Sequence, residues 1–546
     1  MGGTGPVPVA PGSARRWNGW GDPAVVATLS PHASAVLTEL VGPARPARDA
    51  TLAEIVAAVG ASRLVTGSGL SVDPADRVRH ARGQSLPDWI ALRSGRLGSV
   101  PDAVARPGSA EEVRSLLERA GTRGWELVPR GGGTSVVGGV TVQAGERPVV
   151  VVDLTELTGL RALDEASGLA TFGAGTSGPA VEAALGGSGL TLGHFPQSFE
   201  FSTVGGWVAS RSAGQESRGY GRIEALFAGG HVETPAGPLD VRPYPATATG
   251  PDIREIILGS EGRAGIVTDV IVRAVPRPRR DQVRAYAVPD WDRALELARA
   301  LGRSGLDLSM IRVSTPLESA TTLALGADDR SRRWLRRYLA WRRQGPAPCL
   351  ALVGCHGSDA TVTAAEGEVI RLVRAAHGVG VPGVANAWRR ERFSAPYLRN
   401  ALWEAGYAVD TLETAANWAT IPALAGALGP ALRHGLDADG ERVHAFSHLS
   451  HVYPSGSSLY ATYVFRRADD PDETLDRWRR LKRAASETIV AHGGTISHQH
   501  GIGRDHQPYL RAEKGALAVE AMRAAIAHLD PGGVMHRGVL FGNDAS

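Results

Sequence analysis

Lysine is almost missing from this 546-residue chain: Lys482 and Lys514 stand alone against a total of 59 Lys and Arg residues. Arginine as the near-universal cation reads as a compositional bias, so no single arginine marks a site by itself. Cysteine is equally scarce. Cys349 and Cys355 lie in the apolar stretch CLALVGC, a pattern that excludes a disulfide framework or a zinc knuckle and reads as two buried free thiols in a reducing compartment. No apolar run reaches the roughly 18 residues that a bilayer-crossing helix needs. An excess of one charge is lacking too: the net charge is +3, and basic residues fall singly or in pairs such as Arg332-Arg333 and Arg342-Arg343. Nucleic acid is therefore not an expected partner. The beginning, MGGTGPVPVAPGSARRWNGWG, has no apolar secretory core, and the final GNDAS carries no retention or peroxisomal tag, so the expected location is cytoplasmic.

What is present is a globular composition, 43% hydrophobic and 21% charged, in a chain too long for one core. Residues 1–22 read as a flexible arm and 23–97 as an N-terminal region of short helices. From about 98 the texture alternates. EEVRSLLERAGTRG has helical spacing, ELVPR and VVVVDL read as strands, LATFGAGTSGPAVEAALGGSGLTLG repeats strand, turn and helix, and IREIILGSEGRAGIVTDVIVRAVP closes with strands. This gives an α+β ligand-binding domain over 98–277. After the Pro/Arg-rich hinge PRPRRDQ, a second α+β domain over 278–510 mixes long helices (WDRALELARALGRSG, RRWLRRYLAWRRQG, DRWRRLKRAASETIVAHGG) with strands (LALVGCHG, SLYATYVFRR). Residues 511–546 form a last helix and an extended tail.

Three glycine-rich segments carry the chemistry. PRGGGTSVVGG follows a strand and exposes backbone amides with little side chain in the way, which suits a pyrophosphate, though it is neither G-x-G-x-x-G nor a Walker loop. GHFPQSFEFSTVGGWVASRSAGQESRGYG reads as a long irregular segment studded with aromatics, and such segments inside compact domains are usually functional. GSEGRAGIVTDVIVRA runs from a glycine turn into a strand. Near the end, TISHQHGIGRDH packs His498, His500 and His506 into nine positions. No cysteine or HExxH accompanies them, so no metal is assigned.

The order PRGGGTS, PQSFEFSTVGGW, LGSEGRAGIVT resembles the FAD-binding domain of the vanillyl-alcohol oxidase type. Within it, GHFPQSFEFSTVGGWVASRSAGQESRGYGRIE is similar to the alkyldihydroxyacetonephosphate synthase family. The resemblance implies an α+β fold: a two-subdomain FAD-binding domain, an α+β substrate (cap) domain, and a C-terminal helical tail returning to the flavin site. It implies that Arg130, Gly131, Gly132, Gly133, Thr134, Ser135 and Val136 face the diphosphate. Gln197, Ser198, Phe199, Glu200, Phe201, Ser202 and Thr203 would meet the flavin ring and ribityl chain. Ser210, Arg211, Ser212 and Ala213, with Glu261, Gly262, Arg263, Ala264, Gly265, Ile266 and Val267, would hold further parts of FAD.

The same resemblance implies a flavoenzyme that exchanges the acyl group of an acyl dihydroxyacetone phosphate for a fatty alcohol through a flavin N5 adduct. Arg312 in LSMIRVSTP and Arg399 in PYLRNALWEAGY match functional arginines, the second a substrate-phosphate contact, and Tyr460 in PSGSSLYATYVF matches the proton-transfer tyrosine. His498 and His500 match the family's GGS-x-SHHHGVG loop, where the central histidine is Gln499 here; an amide hydrogen-bonds but does not shuttle a proton. That departure keeps a second expectation open, an FAD-dependent oxidase or dehydrogenase of a hydroxy acid, alcohol or specialised metabolite. His536 or Arg537, in LDPGGVMHRGVLF, stands where the family has a polar residue lining the site. The family also implies a lipid or small-molecule substrate, a homodimer and peripheral membrane contact. In the superfamily a histidine of the first loop often carries FAD covalently; Arg130 precedes GGG here and the loop has no histidine, so FAD is expected to be non-covalent. Acid precipitation should accordingly leave a colourless pellet and free the flavin; a yellow pellet would contradict it.

Overall fold

In this computed structural model the described residues are 15–46, 48–67, 69–326 and 329–542. Among the described residues three larger sheets organise the chain, beside a two-stranded ladder of Leu190–Thr191 with Val275–Pro276. The first has the order Leu70–Ser71, Ala103–Ala105, Val149–Asp153, Glu126–Arg130, and its last three strands are parallel. Val149–Asp153 is buried along its whole length, as a central parallel strand covered on both faces must be. The crossover helix Ala110–Arg123 starts at Ser109, whose hydroxyl accepts from the Glu112 amide, and stops at Gly124 in the left-handed conformation. It buries Val113, Leu116, Leu117 and Ala120, one stripe at helical spacing. Glu126–Arg130 delivers the chain directly into the GGG turn.

The second sheet is antiparallel: Leu160–Asp164, Leu169–Gly173, Ile266–Arg273, Phe227–Thr234, Gly237–Val241. The third has seven antiparallel strands in the order Val379–Gly380, Arg280–Val288, Cys349–Gly357, Leu308–Ser314, His444–Leu449, Gly456–Arg466, Tyr407–Asn417. Alternation divides its two faces. Cys349, Ala351, Val353 and Cys355 join a core built with helices Trp291–Arg303, Asp359–Ala375, Ile421–Arg433 and Pro471–Ala491, while Leu350 and Leu352 face a large cavity. Both thiols are free and buried, and burial pushes them up to about 12 and about 11. No helix among the described residues is long and apolar enough to cross a membrane.

Three expectations need correction. Of the arm expected to be flexible over 1–22, residues 1–14 lie outside the described residues, but 15–22 are packed. The Trp20 amide donates to Asn400 Oδ1 at 3.2 Å, Asn400 Nδ2 returns a bond to the Trp20 carbonyl at 3.0 Å, and the Trp20 ring stands edge-on to Phe201 at 5.5 Å. Second, the segment around 193–221 is not irregular throughout: Val204–Ser210 is a helix that buries Val204, Trp207 and Val208. Its Gly205 lies where a Cβ would come 2.7 Å from the Ala174 Cβ, so the glycines that obscured the helical period are what let it pack this closely. Third, the hinge is shorter than 276–282, because Arg280 already opens a strand. Replacing Asn400 by Ala removes both bonds to Trp20; the N-terminal strap should then be cut faster by trypsin at Arg15 and Arg16, with a stability loss of roughly 1–3 kcal/mol in chemical denaturation.

Candidate active site

The cavity encloses about 1580 Å³ and runs between the flavin-type loops and the open face of the seven-stranded sheet. Its volume exceeds the roughly 300–1,000 Å³ of an ordinary small-molecule pocket. Antiparallel register explains the sheet wall. Glu413, Tyr460 and His448 are direct partners across three neighbouring strands, as are Thr411, Thr462 and Phe446, so both rows project to one side. Moving outward, the lining becomes apolar: Val409, Val464, Leu402, Leu37, Leu29, Leu323 and Leu325. Val25 and Val26 stand at its exposed end, with 45% and 68% of their surface open.

The opposite wall is the set of glycine segments. A Cβ on Gly132 would collide with the Phe201 carbonyl oxygen, and one on Gly131 with the Thr203 hydroxyl, so backbone approaches backbone where only glycine fits. The amides of Gly131, Gly132, Gly133 and Thr134 donate to no acceptor among the described residues, and the buried Thr203 hydroxyl has no partner. Rows of free amides beside an orphaned hydroxyl are what the oxygens of a diphosphate satisfy. The residues therefore fit FAD.

Of the sequence-derived cofactor residues, Arg130 to Val136, Gln197, Ser198, Glu200, Ser202, Thr203, Ser210, Ser212, Glu261, Gly262, Gly265 and Val267 line the cavity. Phe199, Phe201, Arg211, Ala213, Arg263, Ala264 and Ile266 do not. Phe199 stacks on Phe393, Phe201 packs under Trp20 and Arg15, Arg211 pairs with Glu255 at 2.8 Å, and Arg263 donates to the His536 carbonyl at 2.8 Å. Along Gly265, Ile266 and Val267 the strand alternation turns Ile266 into the first sheet's core. Arg130 is held from behind by a bond to the Arg82 carbonyl at 2.7 Å; burial lowers its pKa to about 10 against the pull of Asp153.

Arg399 lines the cavity and holds donors that have no partner. Its Nη1 bonds the Gln84 carbonyl at 2.5 Å and its guanidinium lies 4.3 Å from the Trp89 ring, yet Nε and Nη2 are buried and unpartnered. Two free N–H groups of an enclosed cation call for an anion. Arg312, in contrast, is engaged: Nη2 bonds Glu318 Oε1 at 2.5 Å, and Glu318 Oε2 takes His448 Nδ1 at 2.9 Å. Burial raises the Glu318 carboxyl, but His448 and Arg312 outweigh it and hold it down at about 2. Burial, helped by the negative Glu413, drives the Tyr460 phenol well above its ordinary range.

The histidine stretch is a loop, not a strand, and its members part company. His500 stands edge-on to Tyr460 at 6.0 Å and lines the cavity with Gln499. His498 sits behind it: Nε2 lies 2.6 Å from Arg222 Nη1 and 2.7 Å from the Tyr453 hydroxyl, and Nδ1 is 3.4 Å from Glu413. Gln499 Nε2 donates to the other Glu413 oxygen at 2.5 Å. Glu413, His451 and His498 together have metal-like spacing. Arginine can only donate, however, so His498 Nε2 accepts and Nδ1 carries the proton toward Glu413, the wrong tautomer for a metal ligand. His506 is buried behind the loop, with Nδ1 3.1 Å from the Gly501 carbonyl. His536 is buried against Glu126 and, like Arg537, does not line the cavity; the tail instead joins the first sheet, where the Leu127 amide bonds the Val534 carbonyl.

Residues 101–239 match the FAD binding domain and 277–540 the FAD linked oxidases, C-terminal domain. The protein is an FAD-dependent enzyme. It is 29% identical over 473 residues to the alkyldihydroxyacetonephosphate synthase of Dictyostelium discoideum, covering 85% of this chain and 77% of that protein. The synthase of Trypanosoma brucei brucei is 27% identical over 485 residues, covering 86% and 78%. A solved alkyldihydroxyacetonephosphate synthase structure superposes with a TM-score of 0.81 at 24% identity, over 97% of this chain and 99% of that one. The fold and the family resemblance drawn from the glycine segments are both upheld.

Sequence reasoning missed His448, Glu318, Glu413 and Arg222. A signal existed for the first: in HAFSHL, His444 and His448 share strand parity with each other, an unusual density of histidine on one strand face. Gly132→Ala should weaken FAD retention roughly ten- to a hundredfold, the equivalent of a small overpacking strain, measured as the flavin-to-protein absorbance ratio after dialysis; undiminished flavin would remove this turn from the cradle.

Proposed function

We propose that the protein makes an ether bond, exchanging the acyl group of an acyl dihydroxyacetone phosphate for a fatty alcohol. The observation that carries the reading is Arg399, an arginine on the wall of a cavity whose outer half is apolar, with two buried nitrogens that have no partner. A phosphate satisfies the first feature and a long alkyl chain the second, and few metabolites offer both. The relatives' name, alkyldihydroxyacetonephosphate synthase, supports the same product class.

Bound FAD supplies an electron-poor ring system able to take up an electron pair and return it without net oxidation. The chain's own residues do the remainder. The turn Gly131-Gly132-Gly133 has no side chains, so it offers amides rather than charge, and Arg130 and Arg15 add cationic character behind it. Arg399 would fix the phosphate and with it the distance of C1 from the flavin loops. Gln499, His500, Tyr460 and His448 form the polar wall facing that carbon, and the enclosing strands keep water away from it. Gln499 favours the oxidase reading only in so far as it removes one proton carrier; its amide is taken up by Glu413.

Anaerobic spectroscopy separates the two. Acyl dihydroxyacetone phosphate should bleach the flavin and release fatty acid with no electron acceptor, and a fatty alcohol should then restore the colour and yield the ether. Bleaching only by a hydroxy acid or alcohol, reversed by oxygen, would establish the oxidase. Arg399→Met should raise KM for the phosphate substrate about a hundredfold, the worth of two charge-assisted hydrogen bonds, with FAD content unchanged.

A further inference from the structure

The resemblance gives proton transfer to Tyr460, but the ring stacked on it is better arranged for that task. His448 and Tyr460 are register partners on neighbouring strands, with centroids 5.0 Å apart and planes at 21°. His448 Nδ1 lies 2.9 Å from Glu318 Oε2, and a carboxylate only accepts, so the proton of the neutral ring sits on Nδ1. Arg312 Nη2 also approaches Nδ1, at 3.2 Å, but two donors cannot share that contact; its bond at 2.5 Å goes to Glu318 Oε1. Glu318 is thereby clamped from the far side. Both contacts of the ring use Nδ1; His448 Nε2 bonds to nothing among the described residues, and the residue lines the cavity together with Tyr460, Gln499 and His500. A carboxylate orienting one imidazole nitrogen while the other faces a substrate space is the arrangement of a working general base.

We propose that His448 is the proton-transfer base of this cavity, held in its working tautomer by Glu318 and Arg312, with Tyr460 beside it as a neutral hydrogen-bond donor. The inference rests on the ether-forming reading. In that reaction the C1–O bond to the acyl group breaks and the fatty carboxylate leaves with the electron pair. The alcohol oxygen forms the new bond to C1 while His448 Nε2 takes the hydroxyl proton. The imidazolium then gives that proton to the departing carboxylate or to solvent, and no electrons are gained or lost overall.

The electrostatic setting agrees. Burial and the charge of Arg312 pull the imidazole pKa down, Glu318 and Glu413 pull it up, and the balance is downward, so the ring is neutral near pH 7. His500, Tyr460 and His451, a buried imidazole that burial lowers to about 3, complete the titratable groups near it, and His444, on the same strand, is tied to Thr321 at 2.9 Å. A base whose pKa is lowered works above that pKa and fails as pH drops through it, so the acid limb of kcat should lie below the ordinary histidine value of about 6.5.

His448→Gln in the FAD-loaded enzyme should lower kcat at least ~100-fold, with flavin content and KM for acyl dihydroxyacetone phosphate little changed. Tyr460→Phe should keep the acid limb, and Glu318→Gln should move it to lower pH. Nitrogen-15 NMR of the histidines should show His448 protonated on Nδ1 at neutral pH. The inference is overturned by wild-type turnover in His448→Gln, by loss of the limb in Tyr460→Phe alone, or by an Nε2-protonated His448, the last being decisive whatever the reaction. A wild-type enzyme that forms no ether sinks the ether-forming reading instead, and the tautomer measurement still decides the role of His448.

Discussion

The histidine-rich loop hangs between two carboxylates, Glu413 buried in the sheet and Glu261 on the cavity wall, and the inner wall of the cavity takes its shape from them. From the flavin side, Glu261 accepts the amides of Ile502 and Gly503. From the sheet side, Glu413 accepts Gln499, Ser450 and the approach of His498. Burying a carboxylate costs several kcal/mol, and stripping its partners leaves that cost standing, so each contact fixes the loop more firmly than a surface bond would. The two ends respond to protons in opposite ways. Burial pushes Glu261 up to about 7 against two backbone amides alone, whereas the histidines around Glu413 outweigh its burial and hold it well below the usual carboxylate range. The sheet-side anchor therefore stays charged where the flavin-side anchor begins to take up a proton.

This anchoring gives Gln499 a meaning. Its amide is a donor at every pH, so it keeps Glu413 satisfied without adding an ionisable group to a site already holding His451, His498 and His500. The chemical consequence is that the middle of the loop moves no proton. His498 is no substitute, since Arg222 and Tyr453 occupy the nitrogen that points away from Glu413. Two imidazoles remain open to the cavity, His500 on the loop and, on the sheet, His448, whose Nε2 keeps an unused lone pair.

The parts of the structure legible in the sequence were those dictated by local demands. Glycines at 131–133 announce a backbone approach, and the long helices and strands announce themselves by period. Where two periods compete, reading fails: glycine and aromatic content concealed the helix Val204–Ser210, and motif-based assignment carried Ile266, Arg211 and Arg263 into the site although alternation and polar pairing turn them away. The Glu318–His448 contact joins residues 130 apart through the order of the seven-stranded sheet. No local pattern encodes such a pair, because it follows from which strands become neighbours and in what register.

That same register sets the polarity of the cavity. On Tyr407–Asn417 the residues of this face run Glu413, which is buried behind Gln499, then Thr411 and Val409; on Gly456–Arg466 they run Tyr460, Thr462, Val464. Each step of two residues advances about 6.6 Å, so within roughly 13 Å the wall passes from phenol through hydroxyl to hydrocarbon. His444 would interrupt the trend on the third strand, but Thr321 satisfies its Nε2 and burial lowers it to about 4, leaving an uncharged ring. A substrate with a polar head and an apolar chain has one favourable orientation against such a wall, head toward Arg399 and chain toward Val25 and Val26. Reversing it would desolvate the head against valine and leave the Arg399 donors unpaired, two penalties that add. Orientation thus follows from the polarity gradient along the sheet together with Arg399, before any residue performs chemistry.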